Sequence, residues 1–313
     1  MNKAPADFLV TTEHRRFAEF CDACRRYRYI GLCYGVAGVG KTLSAQHYVN
    51  WFSLQAYFRA PLPSAADVAA VAGSTTVFYT PAVVNAPGRI AQDIEIQRHQ
   101  LRALAIDVWL QEQAVQQQAQ RQAEAHMRPQ KLEVPVVHSG NVVQLSVSAA
   151  TPSADIATTY AQKRADAPDP TDLIIIDEAD RLKTASLEQV RDIFDHDGLG
   201  VVFIGMPGIE KRLSRYPQLY SRVGFVHAFR PLSAAQVRDL LQRQWVPAGV
   251  ILPAEGIADE EAHAAIIRLT GGNFRLLHRL LTQIARLVEI NALHTVTSQV
   301  VEAARESLVI GTA

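Results

Sequence analysis

The residues best equipped for chemistry lie together near the start of the chain, in Gly35-Val36-Ala37-Gly38-Val39-Gly40-Lys41-Thr42. The spacing is G-x-x-x-x-G-K-[ST], which wraps backbone N–H groups around a phosphate group. The glycines permit backbone angles and a close approach that a side chain would forbid. A helix beginning at this point adds its own N-terminal N–H groups and the positive end of its dipole. Lys41 would reach the β- and γ-phosphates, and the Thr42 hydroxyl would complete a Mg²⁺ shell. Residues 35–42, together with Leu43, are therefore the expected cofactor-binding segment for ATP. The alternative, a chance glycine-rich turn before a helix, loses ground because the flanks fit and a second motif follows.

That second motif is Asp177-Glu178, which ends the apolar run Leu173-Ile174-Ile175-Ile176. An acid at the C-terminal edge of a buried strand lies beside the phosphate loop, where it can hold Mg²⁺ through water. The next carboxylate can orient or activate the attacking water. Asp177 and Thr42 are thus assigned to the metal and Glu178 to the water, which implies hydrolysis as well as binding. Asp180 is expected to serve as a helix cap or a surface residue.

The elements that must position these groups are legible around them. Tyr29–Tyr34 reads as a strand before the glycine loop, and Leu43–Phe52 as a helix after it. A short helical lead-in is expected over residues 1–28, from the recurrence of Phe17, Phe20, Cys21 and Cys24. Thr75–Thr80 is a further strand, while Ala65–Ala72 is ambiguous. Pro87-Gly88 opens a long helix with Ile90, Ile94, Leu101, Leu104 and Val108 as its buried stripe, running into a glutamine-rich, solvated extension over 111–122. Residues 131–137 and 142–147 read as a β-hairpin, and residues 149–171 as a mobile connection. The unbroken apolar character of 173–176 and 201–204 implies strands buried on both faces, as in a parallel sheet. A helix is expected over about 186–194, another around 215–222 and a strand around 225–229. Beyond Pro231 the chain reads as helical throughout, over 234–245, 260–269, 274–291 and 298–307. The fold class is therefore α/β, a parallel sheet flanked by helices with a small C-terminal all-α domain. The boundaries are a lead-in to residue 28, a nucleotide-binding domain over 29–231 with an insertion at about 111–170, and the helical domain over 232–313.

Composition adds limits. Of 313 residues, 31 are Lys or Arg and 31 are Asp or Glu, so net charge argues neither for nor against a nucleic-acid partner. The three cysteines, Cys21, Cys24 and Cys33, include one C-x-x-C spacing without a second pair to close a zinc tetrahedron, so reduced structural thiols are expected. No signal peptide is visible, and no apolar run reaches the roughly 18 residues of a membrane span. A cytoplasmic location follows as the expectation.

Taken together, Walker A at 35–42, Walker B at 177–178 and Thr270-Gly271-Gly272-Asn273-Phe274-Arg275 in the helical domain resemble the AAA+ ATPases. The resemblance implies that the helical domain is a lid whose Arg275 meets the γ-phosphate. It also implies an arginine after the fourth strand that reaches a neighbouring subunit's nucleotide. Arg222 matches that place best, with Arg215 the runner-up. One departure stands out: the strand 201–204 is followed by Gly205-Met206-Pro207-Gly208, where the family carries a polar side chain, and this implies slow, regulated hydrolysis.

Within that superfamily, Phe203–Pro207, Arg212-Leu213 and Leu219–Arg222 look like the transposition ATPases of the Mu B, TnsC and TniB type. That branch implies a homo-oligomer, a ring or helical filament formed with ATP on double-stranded DNA without sequence preference, which selects a target for a transposase and activates it. Arg25-Arg26-Tyr27-Arg28-Tyr29 is the clearest cationic and aromatic run, although its place before the first strand also suits an adenine pocket or a structural role. The competing readings are a nucleotide-switched interaction module in secretion, assembly or defence, and a replication initiator or helicase loader. A secretion ATPase would carry a membrane or peptidoglycan-binding segment and a defence switch an effector domain, and neither is evident.

Overall fold

The computed structural model describes residues 8–127, 167–247, 249–253, 256–257 and 259–308. The expected hairpin at 131–147 and most of the connection that follows lie outside the described residues.

The chain opens with α1 (Thr12–Tyr27), started by the Thr11 hydroxyl, which accepts the His14 N–H at 3.0 Å, and ended by Arg28 in the left-handed region at φ 54°. Next come β1 (Ile30–Tyr34), α2 (Lys41–Tyr48), α3 (Trp51–Arg59), α4 (Ala65–Val71), β2 (Thr76–Tyr79) and α5 (Pro87–Met127). After them are β3 (Leu173–Ile176), a 3₁₀ turn (Ala179–Arg181), α6 (Thr184–Asp197), β4 (Gly200–Gly205), α7 (Ile209–Leu213), α8 (Pro217–Tyr220) and β5 (Val223–Ala228). Four helices close the described chain: α9 (Ala234–Gln242), α10 (Glu260–Thr270), α11 (Phe274–Ile290) and α12 (Ser298–Glu306).

Two sequence expectations change. The helix foreseen over 43–52 is two helices, α2 and α3, because Asn50 takes the left-handed conformation at φ 54°, which asparagine tolerates better than most residues. The helix foreseen around 215–222 shrinks to the short turn α8, begun by Pro217 at its first position, and another short helix, α7, precedes it over 209–213. The ambiguous 65–72 segment is helical. Ser64 and Asp67 form a reciprocal capping box that stabilises its first turn.

The five strands form one parallel sheet in the order β2-β3-β4-β1-β5. Register pairs Tyr34 with Gly205 and Ile176 with Phe203. The segments leaving the C-terminal ends of β1, β3 and β4 are therefore level with one another, at one edge of the sheet. The central strands β1, β3 and β4 are almost wholly buried, whereas β5 alternates half-buried and exposed, as an edge strand does. Against the sheet α1 packs Phe17, Phe20, Cys21 and Cys24, in a core shared with Cys33, Ile175, Val202 and Phe229. The four C-terminal helices have their own core, with Val237, Ile266, Leu277, Leu281, Ile284 and Val301 all fully buried.

Contacts divide the chain into two compact units, one comprising residues 1–52, 75–95 and 171–313, the other 53–74 and 96–170. The first holds the sheet and the helical C-terminal region. In the second, Leu54, Tyr57, Val68, Val71, Leu101 and Leu104 are buried, and Asp169 pairs with Arg98 at 2.6 Å. The glutamine-rich end of α5 is exposed as far as residue 123, in keeping with a solvated extension.

All three cysteines are buried and unpaired. Burial pushes the Cys24 thiol up to about 12 and raises Cys21 and Cys33 as well, so each is a packing group rather than a nucleophile. A disulfide-exchange reagent should therefore find essentially no reactive thiol in the native protein and all three cysteines in concentrated guanidinium. A fast-reacting native thiol would show that the packing of α1 on the sheet is wrong.

Candidate nucleotide site

At the level edge of the sheet lies a cavity of about 570 Å³, a size suited to a nucleotide. Its floor is the loop and first turn over residues 37–44, one wall is Asp177, Glu178, Asp180, Gly205 and Met206, and the opposite wall belongs to α11.

Asp177 is the pivot of the site. It is only 3% exposed, and its Oδ2 accepts the Thr42 hydroxyl at 2.7 Å while its Oδ1 accepts the Glu178 N–H at 2.9 Å. Burial pushes its carboxyl up from the ordinary range, and the Thr42 hydrogen bond opposes that. A hydroxyl and a carboxylate held together at a phosphate loop are hard oxygen donors of the kind Mg²⁺ takes, so the residues present fit that ion.

Lys41 Nζ donates to the loop carbonyls of Gly35 at 2.5 Å and Val36 at 3.0 Å. Desolvation lowers its pKa, with the negative charge of Asp177 and Asp180 acting against the fall. The ammonium thus sits over the loop with one of its three donors left for a phosphate. Glu178 adopts φ 51° and its carboxylate pairs with Arg181, whose Nη1 is anchored on the Pro81 carbonyl at 2.9 Å.

The helical region meets the loop directly. Asn273 caps α11 by accepting the Arg275 and Leu276 N–H groups at 3.0 and 3.3 Å, and its Nδ2 donates to the Ala37 carbonyl at 2.7 Å. The Arg275 N–H donates to the Gly38 carbonyl at 3.1 Å. Gly38 has φ +85°, and an added Cβ would stand 2.5 Å from Asn273 Oδ1 and 2.7 Å from Arg275 Cβ, so only glycine fits here. Arg275 lines the cavity, as do His278 and Arg279, one turn further along the same face of α11.

Several residues stand elsewhere than the sequence suggested. Asp180 is neither a cap nor a plain surface group. It lines the cavity, and its Oδ2 accepts the Met206 N–H at 2.7 Å. Residues 25–29 cannot form an adenine pocket, because they precede the N-terminal end of β1 while the cavity lies past its C-terminal end, roughly 16 Å away at the rise of a strand. Arg25 is structural, donating to Thr76 Oγ1 at 2.7 Å and pairing with Asp172 at 3.3 Å. The apolar part of the cavity is instead Phe8, Leu9, Trp245, Pro247 and Phe274. Sequence reading missed these because no local motif joins residues so far apart. The missed Arg279 did have a signal, its i, i+4 spacing from Arg275. Arg222, half-buried and outside the cavity, pairs with Asp195 at 2.5 and 2.9 Å and donates to the Gln218 carbonyl, while Arg215 is exposed.

Asn273→Ala removes both the cap and the bond to the loop. A lost cap costs about 1 kcal/mol, so nucleotide affinity should fall about fivefold to tenfold, with a lower Tm for the C-terminal helices. Titration with a fluorescent ATP analogue checks it, and unchanged affinity would show that the loop is held without the helix.

Residues 140–213 match the family described as AAA domain. A protein of Staphylococcus aureus described as a potential ATP-binding protein is 39% identical over 311 residues, covering 97% of either chain. Among solved structures, the ORC2 protein of Aeropyrum pernix in its ADPNP-ADP complexes superimposes with a TM-score of 0.50 at 15% identity, over 100% of this chain and 71% of that one. The RuvB Holliday junction branch migration motor of Thermotoga maritima gives a TM-score of 0.49 at 13% identity, over 97% of this chain and 71% of that one. With the five-stranded parallel sheet, the phosphate loop and the helical C-terminal region, the AAA domain match and the Staphylococcus aureus relative place the chain in the AAA+ family of ATP-binding proteins.

Proposed function

We propose that this protein is a Mg²⁺-dependent ATPase that assembles with ATP on double-stranded DNA and serves a transposase as target selector and activator. The observation that carries the ATPase part is the Thr42–Asp177 hydrogen bond beneath the glycine loop, with Lys41 and Arg275 facing the same cavity. Gly35, Gly38 and Gly40 leave room for phosphate oxygens beside the loop N–H groups, and Lys41 and Arg275 supply positive charge. Thr42 and Asp177 would hold a Mg²⁺ ion, which would supply positive charge against the negative charge that develops in phosphoryl transfer. Glu178, once released from Arg181, is the carboxylate that takes the proton of the attacking water.

The DNA part is drawn from the sequence resemblance at Phe203–Arg222 together with one surface. Arg26, Tyr27, Arg28 and Tyr29 are exposed at the edge of the sheet opposite the cavity. The Arg26 guanidinium lies 5.8 Å from the Tyr27 ring centroid, and Phe225 stands 5.9 Å from Tyr27 and 5.6 Å from Tyr29. Cations beside exposed aromatics suit a phosphate backbone, and repetition in an assembly multiplies a modest patch. No described helix is long and apolar enough to cross a membrane, and a cytoplasmic site of action belongs to the proposal.

In an assembly, Arg222 or Arg215 would supply charge to a neighbour's nucleotide. The Glu178–Arg181 pairing favours one second reading, a nucleotide-switched interaction module whose hydrolysis is latent.

Lys41→Ala should abolish nucleotide binding, whereas Glu178→Gln should bind ATP like the parent and release phosphate at least about a hundredfold more slowly. A parental rate in Glu178→Gln would remove the base assignment. Electron microscopy with a non-hydrolysable ATP analogue tests the rest: regular rings or filaments should form only when duplex DNA is also present. Nucleotide-bound monomers indifferent to DNA would overturn the DNA and transposition reading in favour of a protein partner.

A further inference from the structure

The end of β4 borders the cavity yet offers no hydrogen-bonding side chain, since Gly205 and Met206 stand there. It is level with the start of the phosphate loop, and the Gly35 N–H even donates to the Gly205 carbonyl at 3.4 Å. The space a side chain at position 205 would need is taken. A Cβ on Gly205 would lie 2.8 Å from Asp180 Oδ2 and 2.5 Å from Ile209 Cδ1. Asp180 therefore brings a carboxylate from the turn after β3 to the very place that β4 leaves bare.

That carboxylate is held firmly. Its Oδ2 accepts the Met206 N–H at 2.7 Å, and the backbone carbonyl of Asp180 accepts Arg212 Nη1 at 2.6 Å. Arg212 also donates to the Leu182 carbonyl, so the whole turn is braced against α7. Glu178 differs. Its side chain is 48% exposed and paired with Arg181, so it must move before it can serve the cavity. Asp180 is already in place, in the same cavity wall as Asp177 and close enough for its charge to be felt by Lys41.

We propose that Asp180 is a second water-orienting carboxylate of this ATPase, supplying from the turn after β3 the polar contact that the end of β4 lacks. The proposal rests on the hydrolysis reading above. The attacking water donates one hydrogen bond to Glu178 and the other to Asp180 Oδ1, which leaves a lone pair directed at the γ-phosphorus. The new O–P bond forms as the bond from the γ-phosphorus to the bridging oxygen breaks. ADP departs with that electron pair, and the water's proton passes to Glu178 and then to the phosphate product. Two acceptors, Asp180 already fixed and Glu178 once it has turned in, restrict the water to one orientation and so lower the entropic part of the barrier. The added negative charge is tolerable because Lys41, Arg275 and Arg279 line the same cavity.

The test uses the full chain with Mg²⁺ and compares the parent with Asp180→Ala, Asp180→Asn and Asp180→Ala combined with Gly205→Ser. Asp180→Ala should bind ATP and ADP within about threefold of the parent and lower kcat by about tenfold or more at unchanged KM. It should also lose the extra affinity that aluminium fluoride confers on ADP in the parent, a binding readout that needs no turnover. Gly205→Ser in the Asp180→Ala background places a hydroxyl in the vacated space and should restore part of that affinity. Parental kcat and a parental aluminium fluoride effect in Asp180→Ala would overturn the proposal. So would an equal loss of ATP and ADP binding in both Asp180→Ala and Asp180→Asn, which would mark Asp180 as a structural brace. A parent chain that neither releases phosphate nor gains affinity from aluminium fluoride would sink the hydrolysis reading and this role together. If Glu178→Gln abolishes turnover while Asp180→Ala does not, only the Asp180 role fails.

Discussion

The contact on which the rest depends is the hydrogen bond between the Thr42 hydroxyl and Asp177, across 135 residues of sequence. A carboxylate that is 3% exposed, at the end of four fully buried residues, is costly unless its oxygens are partnered. The sheet solves this by register. Although β4 separates β1 from β3, the pairings Tyr34 with Gly205 and Ile176 with Phe203 bring the three strand ends level. A one-residue slip of β3 would turn its side chains to the opposite faces and draw the acid away from the loop. The apolar run of β3 and the chemistry of Asp177 are thus one constraint.

A second constraint joins the loop to the C-terminal helices. Each has its own apolar core, and polar bonds meet between them: Asn273 to the Ala37 carbonyl and the Arg275 N–H to the Gly38 carbonyl. Because Asn273 also caps α11, the direction of that helix is set by the same side chain that grips the loop. Any shift of the loop around phosphate must therefore be felt at the helix N-terminus, and Arg275 moves with it. Here a local capping rule becomes a coupling between ligand and helix position.

Much of this was legible in the sequence, for reasons that differ by element. β3 and β4 announced themselves because buried parallel strands carry no polar alternation, and the phosphate loop because its spacing is rigidly tied to its geometry. The break at Asn50 was hidden, since Val49-Asn50-Trp51 continues an acceptable helical pattern and only the backbone angle of Asn50 reveals the turn. Phe8, Leu9 and Trp245 were invisible as a group because what unites them is a cavity, not a period. The place of Asp180 was misjudged for a related reason: its partner, the Met206 N–H, is a backbone group 26 residues away, and no side-chain motif records a backbone donor. Motifs encode ligand-facing groups well and the contacts that brace them poorly.

The same distinction bears on the arginines offered for a neighbouring subunit. Arg222 is committed within its own chain to Asp195 and to the Gln218 carbonyl, which argues against a free swing outward. Yet Asp195 also accepts Arg191 Nη1 at 2.6 Å and would keep a cation if Arg222 left. Ion pairs this exposed are worth only about 0–1 kcal/mol, far less than an arginine gains beside a triphosphate. In the proposed assembly the Arg191–Asp195–Arg222 cluster would therefore not prevent Arg222 from leaving. Arg215, exposed on the short link between α7 and α8, has no comparable ion pair to break among the described residues, but nothing orients it either. Because the Arg222–Asp195 ion pair costs so little to break, the resemblance decides between the two, and Arg222, which matches the family's place best, remains the better candidate for the proposed assembly.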